Sequence, residues 1–86
     1  MTYRVEIERQ AAKGLRRIDA KQRRRIEDRI QALANDPRPT GAIKLTGVDG
    51  YRIRVGDYRV VYTISDQTVT VTVVRVGHRK SIYREV

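Results

Sequence analysis

The side chains in this sequence that could do chemistry are arginines and a tyrosine. A guanidinium binds phosphate through two parallel hydrogen bonds and keeps its charge at physiological pH. Preorganised donors aimed at a developing anion typically lower a reaction barrier by ~3–4 kcal/mol each. Nearby cations also lower the pKa of a phenol, because they stabilise phenolate, so a tyrosine among arginines can act as a general base. The candidates are Arg52, Arg54, Arg59, Arg79 and Tyr83.

These residue types suit metal-free cleavage of RNA, whose own 2′-hydroxyl is the nucleophile. The enzyme must align that hydroxyl, neutralise a pentacoordinate phosphorane and move protons, with Tyr83 as the best candidate base. The rest of the sequence offers one histidine and no cysteine. It has no cluster of His, Asp and Glu at metal-ligand spacing, no Ser/His/Asp set and no glycine-rich phosphate loop. We therefore expect no metal, no other cofactor and no small-molecule ligand.

The stretch Tyr51–Ile64 must position three of the arginines. It predicts two strands joined by a two-residue turn at Gly56 and Asp57, with Arg54 opposite Arg59. Directly opposed residues share a face, and faces alternate along each strand. Arg52, Arg54 and Arg59 therefore lie on one face, and Tyr51, Ile53, Val55, Tyr58, Val60, Tyr62 and Ile64 on the other. Opposed like charges are destabilising, which indicates that the arginine face has a use, most simply in binding a polyanion.

The next strand is predicted over Val69–Val76, after a turn at residues 66–67. This turn would pair Ser65 with Thr68. The apolar alternation falters at residues 73–74, which indicates a bulge or burial on both faces.

The last two candidates follow this strand. Without a bulge, Arg59 would lie opposite Val74, so that the end of the strand runs beside the Gly56 turn. Arg79 then comes close to Arg59, and Tyr83 can lie one helical turn above Arg79. One open patch would hold all five candidates. Peripheral phosphate contacts are predicted at Lys44, Lys80 and Arg84.

A strand and two helices precede the hairpin. Alternation over Thr2–Glu8 predicts a strand. Apolar spacing predicts helices over Arg9–Ile18 and from Asp19, a plausible N-cap, to about Asn35. Gly14 weakens the first of these helices by roughly 1 kcal/mol.

The predicted fold class is α+β, as one domain over residues 1–86. The order is β-α-α-β-β-β-α: an N-terminal strand, a two-helix hairpin, an antiparallel three-strand meander and a short helix over residues 78–86. Both helices cover the apolar face and leave the arginine face open. We expect each connection to join strands that are neighbours in the sequence.

Charge is the dominant global property of the chain. Nineteen Lys and Arg against ten Asp and Glu give a net charge of +9, which favours binding to phosphates. A basic surface matched to an acidic protein partner, or a coding bias towards arginine, would give the same composition. No apolar run approaches the ~20 residues of a membrane span, and the lack of cysteine suits a reducing cytoplasm. We expect a cytoplasmic protein with no membrane contact.

Two segments carry a resemblance to a known family. The hairpin Tyr-Arg-Ile-Arg-Val-Gly-Asp-Tyr-Arg-Val-Val-Tyr is followed by Val-Gly-His-Arg and by a tyrosine four residues after that arginine. Together with Lys44–Gly47, this resembles the RelE/ParE toxin superfamily, and RelE more than ParE. The resemblance implies a ribosome-dependent mRNA interferase that cuts mRNA in the ribosomal A site and leaves a 2′,3′-cyclic phosphate and a 5′-hydroxyl. It also implies a RelB-like antitoxin that wraps the toxin.

The resemblance also assigns roles by position. Arg52 and Arg54 fall where RelE toxins often have lysines that contact the scissile phosphate. Arg59 falls on the transition-state arginine, Arg79 on the general acid or phosphate ligand, and Tyr83 on the base. Arginine cannot give up its proton. A mechanism that needs a neutral lysine as the base at position 52 or 54 is therefore not available to this chain.

Two alternatives share the fold and charge. One is a ParE-like inhibitor of DNA gyrase with no catalysis of its own. The other is a basic module that binds only its antitoxin, its nuclease activity having decayed.

Overall fold

The computed structural model describes residues 2–47 and 49–80. Its elements, in chain order, are β1 (Arg4–Ile7), α1 (Arg9–Arg16), α2 (Ala20–Ala32), β2 (Ile43–Lys44), β3 (Tyr51–Val55), β4 (Tyr58–Ser65) and β5 (Thr70–His78). The predicted α+β class is confirmed. The predicted C-terminal helix lies largely in residues 81–86, outside the described part of the chain.

The sheet has five strands in the order β1-β5-β4-β3-β2. The predicted antiparallel meander of β3, β4 and β5 is confirmed. The expectation that sequence neighbours always pair is wrong for β1, which runs parallel to β5 with Val5 opposite Val71. The reason is that α1 and α2 carry the chain from one edge of the sheet to the other. β1 therefore lies at the edge opposite β2, where its neighbour is the last strand, β5.

The helices form where apolar residues recur at helical spacing. Their buried stripe is Ala11, Leu15, Ile18, Ile26, Ile30 and Leu33. The Asp19 side chain accepts a hydrogen bond from the Gln22 amide at 3.4 Å, so Asp19 is the N-cap of α2, as predicted. The helix ends before Pro37, whose carbonyl accepts a 2.8 Å hydrogen bond from the buried Tyr62 hydroxyl. This bond ties the proline loop to the core of the sheet.

Close packing explains the glycine in α1. A Cβ at Gly14 would lie 2.2 Å from the carbonyl oxygen of Val76 on β5, well inside van der Waals contact. Gly14 therefore lets α1 lie directly on the β5 backbone, and its cost in helix propensity is offset by this contact. Any side chain at this position would push α1 away from the sheet.

The β3–β4 hairpin has the predicted register at all five of its pairs. Gly56 has φ of +60° at the first central position of the turn, a left-handed value that favours glycine. Ile53, Val60 and Tyr62 are at most 1% exposed on the helix-covered face. The turn therefore fixes which side chains enter the core and which remain on the arginine face.

The β4–β5 connection differs from the prediction. Ser65 pairs with Thr70 rather than Thr68, so the turn is longer than two residues. It contains Val69 at φ of +53°, and the Ser65 hydroxyl accepts a 3.2 Å hydrogen bond from the Thr68 amide. No glycine is available here to make a tight turn, and the side-chain bond stabilises the longer one.

The predicted irregularity at residues 73–74 is a bulge. Val61 pairs with Arg75 while its neighbour Tyr62 pairs with Val73, which leaves one extra residue on β5. The longer turn and the bulge together place Gly77, not Val74, opposite Arg59.

Candidate functional site: an arginine cluster on the open face

The site is built from two adjacent cross-strand rows on the face of the sheet away from the helices. Arg54, Arg59 and Gly77 form one row, on β3, β4 and β5. Arg52 lies two residues from Arg54 on the same strand, or ~7 Å along the same face. The regular alternation of the hairpin thus directs three guanidiniums to one side of the sheet.

Arg59 lies at the centre of this group. It is 6% exposed, whereas Arg54 is exposed and Arg52 is half-buried. Burial lowers the pKa of Arg59, and the charges of Arg52, Arg54 and Arg79 lower it further. A guanidinium stays protonated even so. The fold therefore holds Arg52, Arg54 and Arg79 within electrostatic reach of Arg59, an arrangement that favours the binding of an anion.

Arg79 is fixed to the hairpin by its backbone. Its amide donates a 2.9 Å hydrogen bond to the carbonyl of Asp57 in the β3–β4 turn. The side chain is exposed and acts on the charge of Arg59. The structure thus brings together Arg52, Arg54, Arg59 and Arg79, which we call the arginine cluster.

The other predicted residues are placed as follows. Tyr83 and Arg84 lie outside the described residues. Lys80 is exposed and directly follows the cluster, with its amide donating to Nδ1 of His78 at 3.3 Å. Lys44 pairs with Tyr51, and this register puts it on the opposite side of the sheet from Arg52. The structure does not bring Lys44 into the cluster.

Arg75 is a basic residue that the sequence reasoning missed. It lies opposite Val61, and Val61 lies opposite Arg52, so all three share one row on the arginine face. The signal was present in the faltering alternation at residues 73–74. The predicted register, without a bulge, puts Arg75 opposite Tyr58 on the apolar face. A four-residue connection and a one-residue bulge move it opposite Val61, on the arginine face.

The remaining polar groups near the cluster have structural roles. The His78 ring meets the Tyr58 ring edge-on, with centroids 5.8 Å apart, as expected for a histidine packed at the end of a strand. Among the described residues, no three His, Cys, Asp or Glu side chains gather where they could hold a metal ion. Nor does this part of the chain contain a helix long and apolar enough to cross a membrane.

Comparison with known proteins agrees with this geometry. Residues 5–83 match the family described as ParE toxin of type II toxin-antitoxin system, parDE. The chain belongs to this RelE/ParE family of toxins. It is 31% identical over 90 residues to the mRNA interferase toxin RelE of Escherichia coli, a match that covers 99% of this chain and 94% of that protein.

Solved structures of the family share the fold. The archaeal RelE–RelB complex from Pyrococcus horikoshii contains a chain that is 34% identical, with a TM-score of 0.82 over 92% of this chain and 97% of that one. The isolated RelE toxin of Escherichia coli is 30% identical, with a TM-score of 0.78 over 96% of this chain and 93% of that one. The predicted resemblance to the superfamily, and to RelE within it, is confirmed.

Proposed function

We propose that this toxin is a RelE-type endoribonuclease that cuts mRNA on the ribosome by metal-free attack of the 2′-hydroxyl on the adjacent phosphate. The observation that carries the proposal is the arrangement of Arg52, Arg54 and Arg79 around the buried Arg59. A buried guanidinium is held rigidly, and rigid donors stabilise a developing charge better than mobile ones. The full-length similarity to an mRNA interferase supports the same reaction.

In the proposed reaction, O2′ attacks phosphorus and its proton passes to a general base, which we assign to Tyr83. Arg59 donates hydrogen bonds to a non-bridging oxygen, where negative charge grows in the phosphorane. Arg52 and Arg54 hold the phosphate so that O2′, phosphorus and O5′ lie in line. The bond from phosphorus to O5′ then breaks, and Arg79 stabilises the departing O5′ by donating hydrogen bonds to it while O5′ takes a proton from water. The products are a 2′,3′-cyclic phosphate and a 5′-hydroxyl.

The partners follow from this proposal. A RelB-like antitoxin would bind the toxin and block or distort the cluster, as the RelE–RelB complexes of similar fold suggest. The ribosome would supply mRNA in the A site, and the protein would act in the cytoplasm. The net charge of +9 suits both a ribosomal RNA environment and an antitoxin with acidic segments.

The test is cleavage of a defined message on programmed ribosomes, with mapping of the new ends. The wild-type protein should cut within the A-site codon and leave 2′,3′-cyclic phosphate ends. Arg59→Ala should lower the cleavage rate by about 10²–10³-fold, the usual effect of removing one preorganised donor. Arg24→Ala is the matched control, since Arg24 is an exposed residue of α2, outside the cluster. An intact message at high wild-type concentration would reject the proposal.

Inhibition of DNA gyrase is the less favoured alternative. The matching family is described by its ParE members, but the curated relative over the whole chain is an mRNA interferase. A gyrase inhibitor also has no need of three arginines gathered around a fourth that is buried. A supercoiling assay with and without the protein separates the two functions directly.

A further inference from the structure

A second basic surface lies outside the arginine cluster, between α1 and the C-terminal half of β5. It is a groove of roughly 770 Å³. Its cationic lining is Arg9, Lys13, Arg17 and Arg75, and Tyr58 and His78 contribute rings to its wall. We call it the α1–β5 groove. No residue of the groove's described lining is acidic.

The spacing of the cations matches a linear polyanion. Arg9, Lys13 and Arg17 follow one another at four-residue intervals and so lie along one face of α1, ~6 Å apart. All three are exposed. Among the described residues, none of them has a carboxylate within 4.0 Å. A row of unneutralised cations at this interval suits successive phosphates of an extended single strand.

The groove is continuous with the arginine cluster. Gly77 lies opposite Arg59 and also lines the groove, and Arg75 both shares a row with Arg52 and lines the groove. On the other side of β5, β1 reaches only as far as Val73, and no described strand pairs with that edge beyond it. A nucleic acid strand could therefore pass from the cluster over β5 into the groove without crossing another strand.

We propose that the α1–β5 groove binds a stretch of the same mRNA strand that flanks the scissile phosphate. This inference rests on the proposed function, because the cluster defines where the scissile phosphate lies. RNA is favoured over an acidic peptide because the groove opens onto the surface that would hold the RNA backbone. The consequence is that binding strengthens with RNA length beyond the few nucleotides that the cluster can hold.

Binding of fluorescent single-stranded RNA tests the groove. The measurements use Arg59→Ala protein, in which cleavage is slowed, with oligonucleotides of three and twelve nucleotides over a series of salt concentrations. The groove variant is Lys13→Gln with Arg17→Gln. The control is Lys21→Gln with Arg24→Gln, which removes the same charge from exposed positions of α2 outside the groove. Thermal denaturation of each variant confirms that it is folded.

We expect the groove variant to lose affinity for the long RNA and not for the short one. Its slope of log affinity against log salt should become less negative by about 1.4, since each phosphate contact on a single strand contributes roughly 0.7. An equal loss in the control variant would overturn the proposal, because the effect would then be one of net charge. An equal loss for short and long RNA would also overturn it.

A second measurement identifies the occupant on the ribosome. Programmed ribosomes carry a message with one 4-thiouridine beside the A-site codon, and the Arg59→Ala protein is crosslinked to it by light. Crosslinks from this position to peptides of α1 or β5 would support the proposal. Crosslinks from this position only to ribosomal RNA, to ribosomal protein or to other parts of the toxin would overturn it. Cleavage by the wild-type protein is measured separately, so failure of the proposed nuclease activity is distinguishable from failure of the groove.

Discussion

The two ends of the sheet use arginine in opposite ways. At the end away from the Gly56 turn, the Arg38 guanidinium forms a 2.9 Å ion pair with Asp66 and donates a 3.2 Å hydrogen bond to the Tyr51 hydroxyl. The Tyr3 hydroxyl donates to the same carboxylate at 2.6 Å. The hydrogen bond with Asp66, and then the one with Tyr51, raise the pKa of Arg38. At the turn end, burial and neighbouring arginines lower the pKa of Arg59.

This contrast separates an arginine with a structural role from one that we propose acts on phosphate. Arg38 joins the proline loop to β3 and to the β4–β5 turn, and its charge is neutralised within the fold. Arg59 is buried within electrostatic reach of three further arginines, and both burial and these charges lower its pKa. A pKa perturbed by burial together with specific charged neighbours is typical of functional sites.

The largest expected effect comes from Arg59→Met. We expect the rate of mRNA cleavage on programmed ribosomes to fall by about 10²–10³-fold. Urea denaturation measures the free energy of unfolding of the variant, so that loss of activity is distinguished from loss of the fold. A strong loss of stability together with the loss of activity would make Arg59 structural, and the contrast with Arg38 would disappear.

The next effect is stabilisation by simple oxyanions. Phosphate or sulfate should raise the midpoint of thermal unfolding of the wild-type protein at constant ionic strength. At ten times its dissociation constant, a ligand that binds only the folded state adds about 1.4 kcal/mol. Arg59→Met should reduce this gain, whereas Arg38→Met should leave it intact. Equal gains in all three proteins would show that the oxyanion acts elsewhere.

A smaller effect is expected at the other end of the sheet. Hydrogen bonds from Arg38 and then from Tyr3 hold the pKa of Asp66 below its ordinary value. A carboxyl with a lowered pKa contributes stability above its unfolded pKa, and this is lost as pH falls through the folded pKa. The wild-type protein should therefore lose stability below about pH 4 more steeply than Asp66→Asn. Parallel pH profiles of the unfolding midpoint would contradict this, while RNA cleavage at neutral pH should be unchanged in Asp66→Asn.

The smallest effect is expected from Lys44→Gln. The register places Lys44 on the opposite side of the sheet from the cluster, so at most it contributes one screened, exposed charge. We expect a change of about twofold in RNA affinity, in keeping with the ~0.2–1 kcal/mol of an exposed charge interaction. Arg54→Gln is the comparison, since Arg54 lies on the cluster face. Equal losses of RNA affinity in the two variants would mean that the side of the sheet on which a cation lies does not determine its contribution to RNA binding.

Local chemistry made part of this structure predictable. The Gly56-Asp57 turn leaves only one register for β3 and β4, so the positions of Arg52, Arg54 and Arg59 followed from the sequence. Residues 66–69 lack such a constraint, and the β4–β5 register was therefore predicted wrongly. Arg79 nevertheless reached the cluster, because the longer turn and the bulge carried the end of β5 closer to the hairpin turn.

Other features depend on contacts that no local pattern reveals. The bonds to Asp66 join residues 63 and 28 positions apart in the chain. The close approach of Gly14 to Val76 likewise appears only when α1 and β5 meet. The parallel pairing of β1 with β5 could not be predicted from alternation, which identifies a strand and one buried face but not its partner.

That pairing also has a consequence for the order of synthesis. β1 is made first, but its only partner in the described sheet is β5, and the same late segment leads into Arg79. A nascent chain thus keeps an open sheet edge and an incomplete cation site until residues 70–79 have left the ribosome. Closure of that sheet edge and assembly of the arginine cluster therefore depend on the same late segment of the chain.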